Sequence, residues 1–454
     1  MKSVIQRNLK SLIEEGREAE LAEMLAGLHP ADVAEILNPL DMEDTVKVIS
    51  LLDIEHASDV LVEMSEAARD QVAAEMPLEK LTELVAEMDS DDAADIVAEL
   101  PDEEAHKVLA AIERKDAEGV RRLMMYDEET AGGLMQVELI SAREDEVVSS
   151  VVDKLRQAGD DVGVIYYIFV VDQAGVLRGQ VTIRQLLLAW PDQIMKEMMS
   201  APALIVRVDE DQEAVAQNFQ KYDVQTAPVV DGHGRLLGRI TFDDIMDVVH
   251  EETDQDFYRM AGSSEEEVYS SGSAKIATLR MPWLAFNLVG GFITSAILSY
   301  FNVSFSNIIM LTPFVPMIMG LSGAVGSQSS TITVRGLAIG RIAEGKVWSN
   351  VVREIRISVI IAVTLGVVIA LGTGGLHSAG TSGASGAAAR LGLAVGASIV
   401  AAIVVSTVLG SVIPLLFKAM KIDPALASGP VVTSANDVAS LFIYMSVGTF
   451  ILTM

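Results

Sequence analysis

Cysteine is absent from the 454 residues, which excludes disulfides, thiolate metal sites and a cysteine nucleophile. Any bound metal must therefore be held by oxygen or imidazole. Histidine is scarce too: the six are scattered, and none forms a metal-ligand pair. A nucleophile elbow and a phosphate loop are also missing, so no enzyme is expected. Met1 to Lys10 is polar and no apolar stretch follows, so no cleavable signal peptide is read and the N-terminus is expected in the cytoplasm. Positive charge is short in residues 1–280, with 25 basic against 60 acidic side chains, net −35. Such a surface repels nucleic acid and attracts cations. Beyond Arg280, charge of either sign almost vanishes, with eight basic and four acidic residues remaining.

What is there after Arg280 is apolar sequence. Met281 to Val334 runs 54 residues without Asp, Glu, Lys or Arg. A membrane span takes about 20 residues, so this run is expected to cross twice, turning at Tyr300 to Asn307. Ile357 to Ala389, Leu391 to Phe417 and Pro424 to Met454 predict three more spans. The five helices are placed at about 281–300, 308–334, 355–376, 389–417 and 429–453 of a transmembrane domain, 281–454. Arg335, Arg341, Lys346, Arg353 and Arg356 cluster between the second and third spans, and Lys418 and Lys421 between the fourth and fifth. Positively charged loops stay inside, which puts the N-terminus inside and the C-terminus outside a multi-pass cell (inner) membrane protein.

Asp437 interrupts the last apolar run. A carboxylate at mid-helix costs about 2.5 to 3.5 kcal/mol on insertion scales, and no basic residue lies in any span at that depth. A hydrogen-bonded aspartate joining helices through Thr433, Ser434 or Asn436 is one reading. A carboxylate that meets a passing hard cation is the other, and Mg²⁺ suits one carboxylate with several waters retained. Two-fold association would bring two Asp437 side chains to one axis, so a homodimer is expected. Small residues before it, including Gly429 ahead of Pro430, permit close helix approach and free a carbonyl. Gly320, Gly323, Gly326 and Gln328 form a second glycine-broken polar run.

The first 280 residues divide further. Residues 1–130 read as an acidic all-α superhelical N domain of short amphipathic helices, with Pro30, Pro39, Pro77 and Pro101 at helix starts. Then Val170 to Thr182 matches Val229 to Thr241 at an offset of 59, a tandem duplication of strand, Gly turn, strand and helix. The pair, residues 131–256 divided at about 194/195, resembles an α/β tandem CBS module. Such modules often bind adenine nucleotides, and Gly238, Thr241 and Asp244 match the ribose-contact pattern, so ATP is a candidate cofactor. The first copy has Gln185 at the acidic position. Without any ligand, Thr241 would simply cap a helix with Asp243 and Asp244 in its first turn. Further along, Asp244, Asp247, Glu251 and Asp254 share one helix face. Most such stripes are solvated, but this one leads through residues 257–280 toward the first span, and a cation could bridge it to Asp91, Asp92 and Asp95.

Four motifs carry a closer resemblance: Tyr126 to Met135, Ile165 to Tyr167, Pro316 to Gln328, and Asp423 to Thr433 followed by Asp437. Over essentially its whole length the chain resembles the MgtE family of magnesium channels. The resemblance implies a homodimer with five spans per chain and a pore carboxylate at Asp437, with Gly429, Pro430 and Thr433 beside it. It also implies a plug helix at about 271–280 and regulatory Mg²⁺ ligands at Asp59, Asp91, Asp95, Glu213, Asp223, Asp244, Asp247, Glu252 and Asp256. Where other members carry Asn or acids, this chain has Ala324, Ser327, Gly429, His250 and Gln255. The expected function is Mg²⁺ transport in a lipid bilayer, closed by internal Mg²⁺ bound between the N and CBS domains. A proton-coupled divalent-cation carrier and a membrane-anchored nucleotide or cation receptor are the rival readings.

Overall fold

The computed structural model describes residues 9, 11–13, 15–159, 163–264, 267, 272–304, 309–339, 341–342, 347–380 and 385–454. They form two compact units, Met1–Glu252 and Thr253–Met454.

Among the described residues from Glu18 on, the first unit runs through nine short helices: α1 (Glu18–Ala26), α2 (Pro30–Leu37), α3 (Met42–Leu51), α4 (Ile54–Val62), α5 (Glu66–Glu75), α6 (Leu78–Val85), α7 (Ser90–Ala98), α8 (Asp102–Ala111) and α9 (Arg114–Leu123). At eight to ten residues, none is long enough to persist alone in water. From α1 to α6, each packs on the helix two positions further along, a superhelical stack whose core takes one apolar face from each. Local chemistry sets the starts. Asp41 accepts from Asp44 N at 3.0 Å and Asp53 from His56 N at 3.1 Å, while Pro30 occupies the first turn of α2 and Pro77 and Pro101 precede α6 and α8. Pro39 departs from expectation: it lies in the turn after α2, and the next helix waits for the Asp41 cap.

Two three-stranded sheets follow. The first comprises β1 (Ser141–Arg143), β2 (Tyr167–Val171) and β3 (Leu177–Thr182), interleaved with α10 (Val148–Ala158) and followed by α11 (Ile183–Leu188) and α12 (Met195–Met198). The second comprises β4 (Val206–Arg207), β5 (Thr226–Val230) and β6 (Leu236–Thr241), with α13 (Gln212–Tyr222) between β4 and β5 and α14 (Phe242–Ala261) after β6. Each pairs its first two strands parallel and its last two antiparallel. Tyr167↔Thr182 in one becomes Thr226↔Thr241 in the other, and the register shift after Val170 recurs after Val229. The duplication read in the sequence is thus a duplication of register.

Among its described residues the second unit holds five long helices: α15 (Ser273–Ser304), α16 (Val315–Ala338), α17 (Val347–Gly380), α18 (Ser385–Ala419) and α19 (Val432–Thr453). Four of them, α15, α17, α18 and α19, are long and apolar enough to cross a membrane. The fifth, α16, turns Ser322, Ser329, Ser330 and Thr333 into the interior, which lowers its mean hydropathy without exposing those hydroxyls. α15 begins at Ser273, so residues 273–280 extend the first apolar helix instead of forming a separate plug helix, and Ser271 lies outside the described residues. Residues 257–261, expected in a linker, are the last turn of α14. Of the expected turn at Tyr300 to Asn307, residues 305–307 lie outside the described residues, as does Lys346. α17 and α18 cross closely because glycine removes the obstacle: a Cβ at Gly396 would sit 2.6 Å from Gly366 O. The core joins Leu311, Ile318, Ile399, Ile403 and Tyr444, whose buried hydroxyl donates to Leu311 O at 2.8 Å.

Candidate functional site

Asp437 lies in the second turn of α19, half-buried, and among the described residues no basic side chain pairs with it. One turn before α19 the chain is not regular helix. Gly429 adopts φ −86° and ψ −114°, Pro430 removes a backbone donor, and the helical path is broken between Leu426 and Val432. Thr433 Oγ1 donates to the Gly429 carbonyl at 3.0 Å. Gly429, Pro430, Thr433 and Asp437 therefore occupy one short stretch around a break at which Pro430 offers no N–H to the carbonyl one turn earlier. Ser434 donates to Asn287 Oδ1 at 2.8 Å, tying α19 to α15, and so is not Asp437's partner. Asn436 is wholly buried with both amide atoms unpaired, and it fills the space beside Gly326 where a Cβ would stand. A second buried acid, Glu354 in α17, was not anticipated; Arg353 donates to it at 3.1 Å.

The first unit carries the other candidate. Ser90, at the start of α7, donates to Glu138 Oε2 at 2.7 Å and accepts from Val137 N at 3.0 Å. Next to it, Gln136 pairs with Arg239 of β6 and its side chain donates to Asp244 Oδ1 at 3.5 Å. This relay sets the acidic face of α7 beside the first turns of α14. Asp91 is 7 % exposed, and its Oδ1 has no partner. Burial, then Asp92, Asp244 and Asp89, hold its carboxyl well above the usual range. Burial first, then acidic neighbours, also push Asp92 up to about 8, Asp95 to about 6 and Glu251 to about 7, with Arg69 opposing all three. Asp244 rises to about 6 through burial, against the bonds it accepts from Thr241. These are carboxylates short of counter-charge, and their hard oxygens are the chemistry a divalent cation takes. As the chain stands, no three His, Asp or Glu among the described residues converge tightly enough to hold an ion.

The other expected ligands are dispersed. Asp59 lies exposed near Asp89, and Asp247 lies one turn beyond Asp244. Glu213 starts α13 while Asp223 caps its far end in a left-handed conformation, φ 52°; ten residues of helix put them about 15 Å apart. Glu252 accepts from Gln212 at 2.8 Å, and Asp256 belongs to the second unit. Sequence reasoning missed Arg69, Gln136 and Arg259. For Arg69 one signal existed: it is the only basic residue between Lys47 and Lys80.

The expected nucleotide contacts also have structural work. Asp244 Oδ2 accepts from Thr241 N at 3.0 Å and Thr241 Oγ1 at 2.5 Å, so it folds back on the start of α14. A Cβ at Gly238 would stand 2.6 Å from Gln136 O, so this glycine permits the strand contact. The first copy repeats both features, with a full Thr182–Gln185 capping box and Gly179 against Ser200 O.

Comparison with known proteins adds three family matches. Residues 28–129 match the MgtE intracellular N domain, 195–251 the CBS domain, and 315–447 the MgtE divalent cation transporter domain. The chain is 33% identical over 336 residues to the magnesium transporter MgtE of Thermus thermophilus, covering 73% of this chain and 72% of the relative. It is 30% identical over 337 residues to the magnesium transporter MgtE of Bacillus subtilis, covering 74% and 73%. A crystal structure of the cytosolic domain of the Mg²⁺ channel MgtE in complex with ATP is similar with a TM-score of 0.50 at 34% identity, covering 54% of this chain and 99% of that one.

Proposed function

The chain belongs to the MgtE family of divalent cation transporters, and on that premise we propose that it carries Mg²⁺ across a membrane along a pathway past Asp437. The carrying observation is a half-buried carboxylate, without a basic partner among the described residues, in a helix apolar enough to span the bilayer. The break at Gly429 and Pro430 presents carbonyls that can replace water around a hydrated ion. Two chains related by a two-fold axis would place two such carboxylates on one path. Arg335, Arg341, Arg353 and Arg356 at one end of α16 and α17, with Lys418 in the last turn of α18 and Lys421 just after it, favour that end inside, the N-terminus inside and the C-terminus outside.

The acidic face between α7 and α14 supports feedback by internal cation. Asp91 and Asp244 would hold a hard divalent cation, which supplies the missing positive charge, while Asp95 faces Arg69. Without it, mutual repulsion between the α7 and α14 carboxylates works against their packing. A nucleotide such as ATP on the CBS pair is supported by the relative's complex, although Asp244 is already engaged with Thr241.

The test is Mg²⁺ influx into proteoliposomes under an inside-negative potential, comparing the intact chain with Asp437→Ala. Influx that is lost or no longer selective in the variant supports the pathway. Influx that follows a proton gradient instead of the potential supports a proton-coupled carrier. No influx in either protein, with intact dimers, supports a receptor.

A further inference from the structure

The acidic cluster of the first unit already contains one cation, and it is part of the chain. Arg69, in α5, is 9 % exposed, unusual for a side chain that normally keeps its head in water. Its Nη2 lies 3.4 Å from Asp95 Oδ2 and its Nε 3.9 Å from Asp70 Oδ1; neither that Nε nor that Oδ1 makes a hydrogen bond. Asp92 of α7 and Glu251 of α14 also feel its charge. A guanidinium stays charged at any relevant pH and is weakly hydrated, which suits it to a buried carboxylate cluster. Yet its neutralisation is one-sided. Asp91, on the same helix as Asp95, keeps Oδ1 unpartnered and faces Asp89 and Asp244. The cluster thus has a half served by Arg69 and a half in which Arg239 acts on Asp89 while Asp91 Oδ1 stays unpartnered.

We propose that Arg69 is a built-in counter-ion that competes with Mg²⁺ for Asp95 and Asp92, confines the external ion to the Asp91 and Asp244 half, and so sets the Mg²⁺ concentration at which the cluster is neutralised. This rests on the cation-sensing reading above. Deleting the positive charge converts the Asp92, Asp95 and Glu251 half into a further cation site.

The test titrates MgCl₂ at constant ionic strength against full-length protein in micelles, reading limited proteolysis of the first unit and Mg²⁺ stoichiometry by calorimetry. Arg69→Gln is expected to be protected at about tenfold lower Mg²⁺ than the parent chain, corresponding to one tenfold step in binding constant, and to take up at least one more ion. Arg69→Lys keeps the charge and is expected at the parent midpoint. An Arg69→Gln chain that is protease-sensitive without Mg²⁺ but fully protected by it also supports the proposal. Equal midpoints and stoichiometries for Arg69→Gln and the parent overturn it. So does an equal shift in the Gln and Lys variants, or a Gln variant that stays sensitive at saturating MgCl₂. A parent chain that Mg²⁺ protects no better than Na⁺ overturns the sensing reading itself, a result distinct from all of these.

Discussion

Arg259 Nη1 donates to Asp423 Oδ2 at 2.6 Å, joining the last turn of α14 to the segment that leads into the broken helix before α19. Both side chains are about one-third exposed, and Asp423 Oδ1 also accepts from Ala425 N at 2.7 Å. Beside them Gly262, φ +74°, ends α14 with its Cα facing Pro430 and Trp283. The end of α14 is therefore clasped to the broken stretch around Gly429 and Pro430.

Breaking the clasp is expected to weaken closure. A partly exposed charged hydrogen bond contributes about 1 kcal/mol, or roughly fivefold in a closed-to-open ratio. Arg259→Gln is expected to raise Mg²⁺ influx at high internal Mg²⁺ by about that factor. The double variant with Asp423→Asn should be no worse than the more severe single change. Additive losses would mean that the two residues act separately.

Gly429 meets the same clasp from the other side, since a Cβ there would strike Met260 O. Gly429→Ala is expected to dislodge the end of α14 and mimic Arg259→Gln in influx assays while the chain still assembles. Wild-type inhibition by internal Mg²⁺ in this variant would show that the contact has no part in closure.

Packing inside the second unit gives a matched pair of variants. At Gly326 a Cβ would overlap the buried Asn436 amide, whereas at Gly323 it would meet nothing within 4 Å. Overpacking a filled interior costs about 1 to 3 kcal/mol. Gly326→Ala should lower the melting temperature in detergent and Gly323→Ala should leave it nearly unchanged; equal effects would contradict the placement of α16 against α19.

Stability of the first unit should depend on pH with an unusual sign. Asp92, Asp95, Asp244 and Glu251 all titrate higher when folded, at about 8, 6, 6 and 7, than free carboxyls near 4. Between those values the folded state binds more protons than the unfolded, so stability falls as pH rises from about 4 to about 8. Melting of residues 1–252 in chelator is expected to show that slope, and millimolar Mg²⁺ to flatten it. Rising stability over this window would refute the buried acidic cluster.

Hydropathy, charge and repeats are local properties, and they determined the apolar helices, the acidic first half and the doubled sheet without reference to any distant contact. Asp437 belongs with them: an acid inside an apolar run is conspicuous wherever the run folds. Boundaries were less legible. Nothing local starts the first helix at Met281, because Lys275 to Arg280 forms helix as readily as the apolar residues after it, so α15 simply extends through both. The polar face of α16 was legible as a motif, but its burial depends on Gly410 of α18 and on Asn436, which meet Gly326 from 84 (410 − 326) and 110 (436 − 326) residues away in sequence.

Only tertiary structure decided which charges meet. Asp91 reaches Asp244 because Ser90, Val137 and Gln136 link α7 to β6, and Arg69 serves Asp95 because α5 stacks on α7, two helices along. Arg259 and Asp423 are 164 residues apart. Periodicity assigns a side chain to a face of its own helix; which face of another helix it meets depends on how the whole chain fills space, and the electrostatics of the cluster follow from that packing.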